Sequence, residues 1–181
     1  MKGFARENLL LSLCGLNCGL CTMRLGGYCP GCGGEGNQPC KLARCSLEHG
    51  GPAYCSGCGG YPCEKYQGFD DFDSFITHRR RDADLARMER IGEEAYCAEQ
   101  REKVEILQFL LDGFNDGRRK SFFCTAVNLL ELPELREAVR RLTAEPGGDS
   151  RPVKEKSACA VQLLRQAAEA RQVELKLRKK K

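Results

Sequence analysis

The chain has 181 residues, thirteen cysteines, no tryptophan and a formal net charge of +4. So even a charge balance argues against a protein that holds nucleic acid mainly by neutralising phosphates. No segment approaches the roughly 20 consecutive apolar residues that span a bilayer, so no membrane partner is expected.

Residues 1–13 read as a short lead-in that ends in a candidate strand over Leu9–Leu13. This apolar run is shorter than the roughly 7–15 residues of a secretory signal core, and no small-residue cleavage site follows it. The expected address is therefore the cytoplasm. Residues 14–65 are punctuated by Gly26-Gly27, Gly33-Gly34, Gly50-Gly51 and Gly59-Gly60, the composition of tight turns rather than of regular elements. From Phe69 the spacing becomes helical. Phe72, Phe75, Ile76, Leu85, Met88 and Ile91 suggest one amphipathic segment with a polar break at Arg79–Arg81. Val104, Leu107, Leu110, Leu111 and Phe114 form a helical stripe. Phe122–Leu132 is an apolar helix candidate, and Pro133 suits the first turn of the next, whose buried stripe would be Leu135, Ala138, Val139 and Leu142. A loop is expected over 145–152, then a last helix carrying Val153, Ser157, Ala160, Val161, Leu164, Ala168 and Arg171. Val173, Leu175 and Leu177 alternate with polar residues as a short strand would, and could pair with Leu9–Leu13.

Ten of the thirteen cysteines lie between Cys14 and Cys63, in a stretch with few large apolar side chains. Such a stretch cannot be held by burial alone and needs covalent or metal cross-links. In a reducing compartment dense cysteines signal metal rather than disulfides. The order is Cys14-x3-Cys18-x2-Cys21, Cys29-x2-Cys32, Cys40-x4-Cys45, Cys55-x2-Cys58 and Cys63. A CxxC turn lets two sulfurs reach one ion, and four thiolates close a tetrahedral zinc site. Cys29-Pro30-Gly31-Cys32-Gly33 and Cys55-Ser56-Gly57-Cys58-Gly59 resemble the knuckles of zinc ribbons and rubredoxins, where backbone N–H groups stabilise the sulfur charge. Ten cysteines suffice for two ions. One economical arrangement joins Cys29, Cys32, Cys55 and Cys58, leaving Cys14, Cys18, Cys21, Cys40, Cys45 and Cys63 for the second. His49 is the module's sole histidine and reads as exposed.

Zinc is the favoured cofactor, as two ions in a structural role, and an iron–sulfur cluster is the alternative. The triplet Cys14-x3-Cys18-x2-Cys21 also has the spacing of radical S-adenosylmethionine enzymes, but helices rather than alternating strands and helices follow it.

The module resembles domain-of-unknown-function family 3795, which is bacterial and archaeal. The matching strings are Cys14-Gly15-Leu16-Asn17-Cys18-Gly19-Leu20-Cys21, Cys29-Pro30-Gly31-Cys32, Cys40-Lys41-Leu42-Ala43-Arg44-Cys45 and Cys55-Ser56-Gly57-Cys58-Gly59-Gly60-Tyr61-Pro62-Cys63-Glu64-Lys65. Thr22 stands where many members have proline, and Asn37 where some have cysteine. The resemblance implies a zinc-binding module and no reaction.

Cys97, Cys124 and Cys159 fall on expected helices and read as core residues. Cys124 follows the basic loop 115–121, with Ser121 as the expected N-cap. Tyr61, Tyr66 and Phe69 could stack on bases, and the tail ending in Lys179-Lys180-Lys181 could meet an acidic partner or simply be solvated. Paired carboxylates, a nucleophile elbow and a phosphate loop are all missing from the sequence, which leans away from an enzyme.

The expected architecture is mostly α: an irregular, zinc-knuckle-like module over 1–65, then a helical domain of about five helices over 66–181 with a basic tail. The expected role is regulatory or interactive. A protein partner is favoured, and a nucleic-acid partner is the alternative.

Overall fold

In the computed structural model, which describes residues 1–144 and 150–180, the chain is mostly helical. Among the described residues seven α-helices follow in order: α1 Thr22–Leu25, α2 Lys41–Glu48, α3 Arg81–Ile91, α4 Glu93–Phe114, α5 Lys120–Leu129, α6 Leu132–Ala144 and α7 Val153–Ala170. Short 3-10 turns sit at Cys18–Leu20, Cys55–Gly57 and Glu64–Tyr66. None of the described residues is in a strand.

The residues divide into two compact units. One comprises Met1–Arg101 with Leu177–Lys181, the other Glu102–Lys176. The unit holding the cysteines thus runs well past residue 65, where sequence placed the boundary. The reason is apolar: Leu11 and Tyr54 of the glycine-rich stretch share a buried cluster with Leu85, Met88 and Tyr96 of α3 and α4. A stretch poor in large apolar residues borrows its core from the helices that follow.

The expected strand at Leu9–Leu13 does not form. Its backbone is used instead by the cysteine loops. The Ser12 N–H donates to the Leu16 carbonyl at 2.8 Å, Gly19 N–H to the Leu10 carbonyl at 3.0 Å and Cys55 N–H to the Leu13 carbonyl at 2.8 Å. The expected partner strand is missing too. α7 ends on Gln172 at positive φ, with the Val173 N–H returning 2.9 Å to the Ala168 carbonyl. This is a Schellman-like stop, and the chain leaves it as coil.

The segment after Phe69 also departs from expectation, because its helix begins only at Arg81. Residues 70–80 are organised around the buried Asp73 carboxylate. It accepts the His78 N–H at 2.8 Å and, from the far end of the chain, the Arg178 N–H at 2.8 Å. Side chain to backbone bonds of this kind compete directly with helix formation. The His78 ring contacts the Phe69 carbonyl at 2.9 Å and the Ser74 hydroxyl at 3.0 Å. The tail is therefore held, with Lys180 also lying 5.5 Å from the Phe72 ring centroid.

In the second unit the helical stripes fall where the periodicity put them. Leu107, Leu110 and Phe114 of α4 are buried, as are Leu135, Ala138 and Leu142 of α6 and Ala160, Val161 and Leu164 of α7. α5 is buried continuously from Phe123 to Leu129. Its C-terminal carbonyls would be orphans there; buried Lys103 supplies donors, at 3.4 Å to the Asn128 carbonyl and 2.8 Å to that of Leu130. α5 starts after Arg119 rather than at Ser121 and has no side-chain cap; the turn before it is closed by Asn115, whose side-chain oxygen accepts the Gly117 and Arg119 N–H groups at 3.1 Å. Of the loop expected over 145–152, residues 145–149 lie outside the described residues.

Candidate metal centre

All ten cysteines of the module are free thiols, and nine of them gather in two groups, with exposed Cys40 in neither. Leu13 stands between them. Its N–H donates to Cys32 Sγ at 3.5 Å, while its carbonyl accepts the Cys55 N–H. The Cys29–Cys32 knuckle thus meets Leu13 at its N–H and the Cys55–Cys58 knuckle at its carbonyl.

The first group contains Cys14, Cys18, Cys21, Cys29 and Cys32. Cys18 opens a 3-10 turn that carries Cys21, whose N–H donates to the Cys18 carbonyl at 3.1 Å. Cys29 and Cys32 flank Gly31, which has a φ of +91°. The Gly31 N–H lies 3.4 Å from Cys29 Sγ. Burial pushes the Cys18 thiol up to about 12, against a backbone N–H from Cys32 and with the Cys32, Cys21 and Cys29 thiols adding to the rise. Burial also lifts Cys14 to about 12, opposed by the Ser12 hydroxyl 3.2 Å away. The Cys32 thiol is raised by burial and eased by the Leu13 N–H and Arg6; exposed Cys40, at the start of α2, adds to the rise.

The second group is Cys45, Cys55, Cys58 and Cys63. With His49, Tyr61 and Tyr66 they help line one cavity of about 30 Å³, the volume of a water-sized or ion-sized occupant. Cys45 is supplied by α2, Cys55 and Cys58 by a single 3-10 turn, and Cys63 by the residue after the cis Tyr61–Pro62 bond. The Cys55 thiol is raised by burial and by Cys63, Cys45 and Cys58, and lowered by Tyr66. His49 closes α2 with its Nδ1 2.9 Å from the Cys45 carbonyl and 3.6 Å from Cys45 Sγ.

Among the described residues, no three His, Cys, Asp or Glu side chains stand at coordinating separation. The fit can nonetheless be judged from the donors. Each group is rich in soft sulfur; in the first, backbone N–H groups point at the Cys29 and Cys32 sulfurs, and in the second the cavity wall holds the buried Tyr66 hydroxyl without a hydrogen bond. A neutral thiol is a weak acceptor, whereas a metal-held thiolate is a strong one. The residues present suit a thiolate-bound ion.

Several residues that shape this region carried no sequence signal. Arg6 stacks 4.7 Å from the Tyr54 ring and eases the Cys32 thiol. Asn8 joins the Tyr54 hydroxyl at 2.8 Å, Glu93 at 2.8 Å and Cys97 Sγ at 3.0 Å. The aromatic residues proposed for base stacking are committed elsewhere: Tyr66 is buried, and Phe69 stacks on His78 with centroids 4.8 Å apart. Cys97 and Cys124 are buried and Cys159 is half-buried on α7, outside both thiol groups.

Comparison of the chain with protein-family models, with curated proteins and with solved structures finds no match. No helix among the described residues is long and apolar enough to cross a membrane.

Proposed function

We propose that this is a thiolate metal-binding protein of the cytoplasm, with zinc in a structural role and an interaction or regulatory function exerted through the cysteine-rich unit. The supporting observation is the cavity of about 30 Å³ whose lining includes the four soft donors Cys45, Cys55, Cys58 and Cys63. A second ion would draw on the group around Cys18 and Cys32. Zinc there would supply cross-linking energy to loops that bury little apolar surface, so binding and folding of the module would be coupled. The likeness of the CGLxC and YPCEK strings to domain-of-unknown-function family 3795 points the same way.

The first group keeps an iron–sulfur reading open, because the Cys14, Cys18 and Cys21 triplet lies together with Cys29 and Cys32. Metal analysis with a visible spectrum on protein purified without oxygen separates the readings. About two zinc ions per chain and no colour, as four thiolates per ion would give, are expected. Iron with sulfide and absorbance near roughly 400 nm would replace zinc by a cluster. Thiols oxidised in pairs and no metal would overturn both.

A further inference from the structure

Resting on that reading, we infer that Tyr66 is the hydrogen-bond donor to the Cys55 sulfur when the four-thiol cavity holds its ion, and that Arg81 is the residue that positions it. Tyr66 is 8% exposed, its hydroxyl forms no hydrogen bond, and it lines the same cavity as Cys55. The ring has little freedom to turn away. Tyr61 meets it edge-on at 5.3 Å, Phe69 meets it at 5.4 Å, and the Arg81 guanidinium lies 4.3 Å from its centroid.

Arg81 is itself fixed. It is 4% exposed, holds Asp70 through two bonds of 3.1 and 2.6 Å, pairs with Asp82 at 2.8 Å and donates to the Tyr61 hydroxyl at 3.0 Å. A guanidinium on the ring face also polarises the phenol toward donation. A buried donor locked in place opposite a poor acceptor is satisfied when that acceptor becomes a thiolate. A divalent ion displaces the thiol proton and makes it one. Tyr61 is the contrasting case, since its hydroxyl is already committed to Asp82 and Arg81.

The test uses the full chain with zinc and cobalt(II) as probes. Tyr66→Phe keeps the ring and removes only the donor. Its affinity for one zinc equivalent, measured against a chelator, is expected to fall about 10-fold, the scale of a lost outer-shell partner. In the cobalt form the thiolate-to-metal charge-transfer band should move to lower energy, because a sulfur without its hydrogen bond gives up charge more readily. Tyr61→Phe should keep the wild-type band. Unchanged affinity and an unchanged band in Tyr66→Phe would overturn the inference and leave metal binding standing. A fall in affinity with the band unmoved would also overturn it, since misfolding lowers affinity without retuning sulfur. A wild-type chain that takes up neither probe would overturn the metal-binding reading along with it.

Discussion

Asp73 and Arg178, 105 positions apart, are joined twice: the Arg178 N–H reaches Asp73 Oδ2 at 2.8 Å and its guanidinium reaches Oδ1 at 3.2 Å. The Asp73 N–H completes the pairing by donating to the Arg178 carbonyl at 2.8 Å. A buried carboxylate thus ties the end of the chain to the loop that precedes α3. Asp73→Ala should lower stability by about 2 kcal/mol, the cost of leaving buried donors unpaired, read as a reduced urea midpoint with protease access to the tail. Burial alone would raise the Asp73 carboxyl, but the His78 and Arg178 N–H groups and the Arg178 side chain hold it below the usual range. Its contribution is therefore present above pH 4 or so, the ordinary carboxyl range, and is lost as pH falls through the depressed folded value. Asp73→Asn should flatten that acid limb.

The glycines of the module are not equivalent. Gly15 has a φ of +91°, and a Cβ there would stand 2.6 Å from the Arg81 carbonyl and 2.8 Å from Leu85 Cγ. Gly15→Ala combines a left-handed alanine with a backbone clash, and is expected to destabilise by about 3 kcal/mol. Gly57→Ala and Gly59→Ala meet open space at ordinary φ and should stay within about 0.5 kcal/mol of wild type. Chemical denaturation of the three variants checks the contrast.

Cysteine substitutions should sort by group. Cys58→Ala is expected to remove one of two zinc equivalents, and Cys18→Ala the other. Cys124→Ala, outside both groups, should leave the metal count unchanged and cost about 1 kcal/mol of packing. Metal analysis after gel filtration reads the outcome directly.

Thiols raised as far as Cys14 and Cys18 are protonated throughout the neutral range. Zinc uptake should therefore release protons, and affinity should climb steeply between about pH 6 and 8, as calorimetry in buffers of different ionisation enthalpy would show. The metal-free chain should behave oppositely at high pH. Its folded state holds these protons up to about 12, so their stabilising effect is present below the ordinary thiol value of 9.0 and is lost as pH rises through the folded value.

Arg81→Met should destabilise the first unit by about 3 kcal/mol, because Asp70 would lose its buried bidentate partner and Tyr66 the cation on its face. Arg81→Lys should rescue little of this, since an ammonium cannot bridge both carboxylate oxygens in the same plane. Thermal melts of the two variants test the point.

Sequence by itself determined the helical content of the second unit, because the stripes on α4, α6 and α7 follow from a 3.6-residue period that neighbours do not alter. It also located the ten thiols, since glycine-rich CxxC turns are local chemistry. Tertiary structure decided which of those thiols lie near which. Leu13 is one residue with an N–H on one side and a carbonyl on the other, and only the folded chain shows Cys32 on the first and Cys55 on the second. The same holds for the termini: alternating Val173, Leu175 and Leu177 satisfy a strand pattern, yet pairing needs a free backbone, and that of Leu9–Leu13 is occupied by residues 16, 19 and 55. The extent of the first unit was likewise settled by long-range packing, through Leu11 and Tyr54 against Leu85, Met88 and Tyr96. Periodicity reports which face of an element is apolar; which distant surface covers it is fixed only when the chain closes.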